Sequence, residues 1–159
     1  TLIQDGVAHR VVHDRRSASR AGEGAETTGH ALAPGGSPFG AIPTNLVLIG
    51  GGAADEHELA APVERGLYVN RLWYLNVVHP KQTLLTGTTR DGTHLIEDGR
   101  VTRPVKDVRF TDSVLRILQA TEALGARSAL TTEGDFYGRR SAYGTVCPPL
   151  RASGFRITG

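Results

Sequence analysis

The sequence predicts an α+β domain dominated by antiparallel β-sheet, a meander or partial barrel with about two helices. Three features carry this expectation. Residues from Leu67 to Val78 alternate in strand fashion, Asp91-Gly92 and Asp98-Gly99 punctuate a run of strand-like segments, and an apolar stripe at helical spacing follows Thr111. Asp-Gly supplies the positive φ angles that tight hairpin turns require, so both pairs are expected to join antiparallel neighbours.

In chain order, the first strand is expected over Ala8–Asp14, after a turn at Asp5-Gly6. Ser17–Pro43 is rich in Gly, Ser, Thr, Ala and Pro and has no period of either strand or helix, so it reads as a long loop. Asn45–Ile49 is a short apolar run between Pro43 and a triple glycine and predicts a buried strand. Asp55 with Glu58 three residues on marks a capped helix start, and Pro62 must end that helix. Leu67–Val78 carries large apolar groups at both odd and even positions, which predicts a strand covered on both sides and closed by His79-Pro80. Strands over Leu84–Arg90, Thr93–Glu97 and Arg100–Val105 follow. A helix over Asp112–Leu124 is then expected, with Thr111 as N-cap and Gly125 at its C-terminal end. The tail returns to short strands around Ser128–Thr131 and Phe155–Thr158.

Bulk properties narrow the function classes. A length of 159 residues fits one domain, spanning 1–159, large enough to bury a core. With 39% hydrophobic and 21% charged residues the chain reads as globular rather than disordered. Eighteen basic residues against sixteen acidic give a net charge of +2, too small a surplus to imply a nucleic-acid partner. One cysteine excludes an internal disulfide and suits a reducing cytoplasm. No run of about 18 apolar residues is present, so no membrane partner is expected. Thr1 opens the chain and methionine is absent throughout, which favours a piece of a longer protein.

Most apparent motifs dissolve on inspection. The glycines at 50–52 lie between strand and helix, where phosphate-cradling loops sit, yet they lack the G-x-G-x-x-G spacing and any following Gly-Lys-Ser/Thr. His57-Glu58 opens like a zinc-peptidase helix, but Ala61 and Pro62 stand where the second histidine would fall. His9 and His13 share a strand face only at roughly 13 Å separation, too far for one metal. Cys147 precedes two prolines with no histidine base in its motif, and Ser17, Ser19 and Ser37 have no nucleophile-elbow context. No catalytic residue and no metal ligand is therefore assigned. Thr89, Arg90 and Asp91 are the candidate substrate-binding residues. Arg90 and Asp91 flank the Asp-Gly turn, where they either pair with each other as a staple or hold a carboxylate or backbone group of a ligand.

An ordered series of segments adds a family. It runs through Thr28-Gly29-His30-Ala31, Asn45-Leu46-Val47-Leu48, Glu64-Arg65-Gly66-Leu67-Tyr68-Val69 and Thr86-Gly87-Thr88-Thr89-Arg90-Asp91-Gly92-Thr93. It continues through Leu95-Ile96-Glu97-Asp98-Gly99, Arg109-Phe110-Thr111-Asp112-Ser113 and the tail from Pro148 to Phe155. This series resembles the C-terminal region of the TldD/PmbA family of zinc metallopeptidases, also called modulators of DNA gyrase. The resemblance implies a subunit of a homo- or heterodimer acting on unfolded peptide, in proteolysis or peptide maturation. It also implies that an N-terminal domain and a central part lie outside this chain. Family members hold zinc with an upstream His-Glu-x-x-x-His helix and a later cysteine. That helix is not in this sequence, and Gly134 takes the cysteine's place, while Cys147 falls beside the prolines. The chain is thus expected to carry no cofactor, with zinc confined to the parent protein or partner subunit. The alternative is a non-enzymatic module for dimerisation or peptide binding.

Overall fold

A computed structural model describes residues 1–32, 40–53, 55–136 and 139–159, with side chains omitted over 133–142. Ser37 lies outside the described residues. The architecture is α+β and mostly antiparallel, with three short α-helices among the described residues and no closed barrel. Its contacts divide the chain into two compact units. One comprises Thr1–Leu48 and Leu130–Val146, the other Ile49–Ala129 and Cys147–Gly159.

The first unit opens with a hairpin of β1 (Ile3–Gln4) and β2 (Val7–Ala8). Asp5 and Gly6 turn it with φ of 51° and 76°, the paired positive values of a tight two-residue loop. The strand expected over Ala8–Asp14 is not formed beyond Ala8, because Asp14 instead caps α1 (Arg15–Ala21). Asp14 Oδ1 accepts from Ser17 N at 2.6 Å while Asp14 N donates to Ser17 Oγ at 3.0 Å, a reciprocal capping box. α1 therefore occupies the start of the expected loop. Only Ala18 is buried on it, so it leaves no apolar period to read. Thr28 ties the returning chain to His13, its hydroxyl accepting from His13 N at 2.7 Å. β3 (Asn45–Val47) pairs in parallel with β10 (Arg139–Cys147), which also neighbours β9 (Ala129–Phe136). The Asn45–Ile49 run is a strand over three residues but is not buried: Val47 is 68% and Ile49 81% exposed.

The second unit begins at the three glycines. A Cβ on Gly51 would lie 2.7 Å from Leu124 O, and one on Gly50 would lie 2.9 Å from Ala126 O, so close backbone packing explains these two, while Gly52 faces open space. The chain then enters α2 (Glu56–Ala60), where Asp55 Oδ1 accepts from Glu58 N at 2.9 Å as the sequence predicts, and the helix stops before Pro62. β4 (Arg65–His79) pairs with β5 (Leu84–Glu97) along most of its length. A short 3₁₀ turn at Pro80–Gln82 joins them.

β5 then forms the Asp98-Gly99 hairpin with β6 (Arg100–Pro104), with φ of 48° and 76° at the turn. The other Asp-Gly pair does not make a hairpin. Asp91 (φ 60°) and Gly92 (φ 119°) lie inside the continuous strand β5. Val69 pairs with Thr93 and Arg71 with Arg90, so β5 carries one extra residue there, which defines a β-bulge. The unbroken β4 opposite holds both sides of the bulge in one sheet, and Asn70 Nδ2 donates to Asp91 O at 2.9 Å.

β7 (Arg109–Ser113) pairs with the first half of β5. Its presence removes the start of the expected Asp112–Leu124 helix. Ser113, not Thr111, caps α3 (Val114–Gln119), and the chain returns to strand at β8 (Thr121–Leu124), paired with β11 (Leu150–Ala152). Gly125 packs its Cα against Pro149 instead of ending a helix. In the tail, Ile157 makes only an isolated bridge to Phe110.

The core of this unit is small and drawn from distant parts of the chain. Leu59, Ala60, Leu95, Ile96 and Phe110 are buried, and Phe110 lies 4.9 Å from the Phe155 ring. β4 was expected to be covered on both faces but is exposed from Asn70 to His79. Its outer edge pairs with no strand among the described residues. Covering both faces would need a further layer, and the described residues of this unit supply none there.

Candidate functional site

The bulge at Asp91-Gly92 sorts the three candidate residues onto opposite sides of the sheet. Thr89 faces inward and is 1% exposed. Its hydroxyl accepts from Thr93 Oγ1 at 2.8 Å and Val108 N at 3.0 Å and donates to Asp107 Oδ1 at 3.3 Å. Thr93, 2% exposed, lies 3.0 Å from the same carboxylate oxygen, so its one hydroxyl proton is shared between Thr89 Oγ1 and Asp107 Oδ1. Two buried hydroxyls and one carboxylate thus lock the 105–108 connection to the middle of β5. Hydrogen bonding inside a low-dielectric interior makes such a network rigid.

Arg90 and Asp91 stand on the other side, each about half exposed. Asp91 Oδ2 meets Arg71 Nη2 at 2.7 Å, and Asp91 Oδ1 lies 3.7 Å from Arg90 Nε. Both guanidiniums also lean over the Trp73 ring, at 4.5 Å for Arg71 and 5.4 Å for Arg90. Cross-strand register explains the assembly: Arg71 is paired with Arg90 and Trp73 with Thr88, so these side chains share one face. Sequence reasoning singled out Arg90 and Asp91 and missed Arg71 and Trp73. The missing signal was register, because the alternation of β4 is visible but its pairing with β5 is not.

A second polar centre lies at the β7–α3 junction. Asp112, 1% exposed, accepts from Arg116 Nε at 2.6 Å and from the Arg116 Nη2, forming a two-pronged pair. It also accepts from Ser113 N at 2.8 Å and Arg156 N at 3.0 Å, while Arg116 Nη2 reaches Gly154 O at 2.7 Å. The Arg116 hydrogen bond holds the Asp112 carboxyl down at about 2, from an ordinary 3.8, against the opposing effect of burial. The same pair raises Arg116. This cluster staples the C-terminal segment to β7 and α3, with its charges turned inward.

Metal ligands do not gather here. Among the described residues no three His, Cys, Asp or Glu side chains come together where they could hold a metal ion. His13 pairs with Ser17, and His30 with Thr28 and its own loop, each within local structure. Cys147 is half-buried at the end of β10, and Gly134 lies in β9 where only the backbone is described. No helix among the described residues is long and apolar enough to cross a membrane.

Comparison with known proteins decides the family. The chain matches the PmbA/TldA metallopeptidase C-terminal domain over residues 1–159. It belongs to that family. The fold is also found in TldE from Thermococcus kodakarensis, with a TM-score of 0.73 at 20% identity over 99% of this chain and 33% of that one. A candidate modulator of a DNA gyrase from Thermotoga maritima gives a TM-score of 0.69 at 19% identity, covering 99% of this chain and 32% of the other. The PmbA/TldA-like chain thus spans about a third of the solved structures it resembles. No curated protein matches it.

Proposed function

We propose that this chain is the C-terminal domain of a TldD/PmbA-like metallopeptidase subunit, serving proteolysis or peptide maturation without catalysing hydrolysis itself. The observation that carries the reading is the open β4 strand, in a chain whose whole length matches the metallopeptidase C-terminal domain. An extended peptide adding to that edge would gain backbone hydrogen bonds with little demand on its sequence, as a broad-range peptidase requires. Arg90 and Asp91, on β5 one strand in from that edge and on the face shared with Arg71, serve as substrate contacts, with Thr89 holding their strand in place from beneath. Zinc, where used, is held by the parent protein or the partner subunit, in a homo- or heterodimer working in the cytoplasm. Purified Thr1–Gly159 supplied with zinc should leave an unstructured peptide intact; cleavage would overturn the non-catalytic assignment.

A second reading is a non-enzymatic assembly module. It is favoured by the apolar exposure of β4, where Tyr74, Leu75, Val77 and Val78 are 69%, 52%, 63% and 52% exposed. Large exposed apolar surface of this kind marks interaction sites. Separate substitution of Arg90 and Asp91 in the full-length complex distinguishes the two readings. Lost peptide turnover with the dimer intact supports substrate contact, and lost dimer supports assembly.

A further inference from the structure

The face that carries Arg71, Trp73 and Arg90 has a charge imbalance. Two guanidiniums share the single carboxylate of Asp91, and all three side chains remain about half exposed. A third arginine extends the row. Arg109 on β7 is paired with Thr88, itself paired with Trp73, so Arg109 stands on the same face one strand further in. Its guanidinium is 3.5 Å from Thr86 Oγ1 and meets no carboxylate among the described residues. Asp107, the nearest other acid in sequence to Arg109, is engaged on the opposite side by Thr89 and Thr93. A tryptophan floor therefore holds guanidiniums fixed by cation–π contact while their outer N–H groups stay open to a second acceptor.

We propose that this arginine–tryptophan face recognises the acidic side chains of an extended polypeptide laid along the β4 edge. The proposal rests on the strand-addition reading above and deepens it by naming the class of peptide preferred. In an added strand, alternate side chains project to the Trp73 side, so a glutamate beside Arg71 would meet its guanidinium, with Arg90 directly across on β5 adding positive charge one strand further in. Carboxylates suit guanidinium geometry and would restore the charge balance that Asp91 alone leaves incomplete. Nucleic acid would also bring negative charge and would stack on Trp73. It cannot, however, supply the alternating N–H and C=O groups that the β4 edge offers to bond.

The test is fluorescence anisotropy with two labelled peptides, one alternating threonine with glutamate and one alternating threonine with glutamine. The glutamate peptide should bind roughly ten-fold more tightly at low salt, with most of the advantage lost at high salt. Arg71→Gln and Arg90→Gln should each shrink that preference several-fold, both sites being exposed enough to leave folding intact. Asp91→Asn should strengthen glutamate-peptide binding, because it frees both guanidiniums; a purely structural Asp91 would not give that gain. Equal binding of the two peptides would overturn the acidic preference while leaving strand addition standing. Binding of neither peptide would overturn both. An oligothymidylate binding more tightly than the glutamate peptide would overturn the proposal in favour of nucleic acid.

Discussion

Asp112 shows how one buried charge organises this chain. Its carboxylate accepts from Arg116, Ser113 and Arg156, so it joins β7, α3 and the C-terminal segment. Because its folded pKa of about 2 lies below the ordinary 3.8, the unfolded chain takes up the proton first. The stabilisation is complete above about pH 4 and is lost as pH falls through 2, amounting to about 2 kcal/mol. Asp112→Asn should cost about 3 kcal/mol at neutral pH, since Arg116 keeps its charge without its partner. It should also flatten the acid limb of the stability profile, as read by denaturant titration from low to neutral pH. The Thr89 network is a second test at this scale. Thr89→Val keeps the shape but strands Val108 N and leaves the Asp107 carboxylate with Thr93 alone, so a loss of about 1–3 kcal/mol is expected in the same titration. Neither network was legible in the sequence. Asp112 reads there as a helix residue and Thr89 as a ligand contact, because the partners of both come from segments many residues away.

At the scale of elements, local chemistry was legible and partnership was not. The Asp55 cap, the stop before Pro62 and the Asp98-Gly99 hairpin all follow from residues within a few positions. Asp91-Gly92 has the same chemistry but a different outcome, since a continuous β4 turns the positive-φ pair into a bulge. The expected helix over 112–124 fails likewise because β5 and β11 recruit its two ends as strands. α1 escapes notice for the opposite reason: its cap is strong, but it buries only one alanine. Gly99 marks where the real hairpin is rigid. A Cβ there would sit 2.5 Å from Ala61 O at a φ of 76°, so Gly99→Ala should destabilise the fold by about 1–2 kcal/mol or more. Gly52→Ala, with no atom within 4 Å, should stay within about 0.5 kcal/mol in a parallel thermal melt.

The whole molecule is an α+β member of the PmbA/TldA metallopeptidase C-terminal family, built as two compact units. Its family was legible because an ordered series of short segments survives where no single motif is decisive. The coverage of β4 was misread, since alternation on both faces says that both are apolar but not whether anything lies against them. That exposed strand is an association hazard as well as a candidate site. Sedimentation velocity should show concentration-dependent self-association of the chain, reduced by Val77→Lys at a position 63% exposed. The central claim is that the β4 edge receives an extended peptide, and amide hydrogen exchange tests it most directly. With saturating unstructured peptide, the β4 amides between Asn70 and Val78 that do not bond β5 should slow in exchange while those of α2 stay unchanged. Peptide binding that leaves the β4 amides exchanging at their free rates would contradict it.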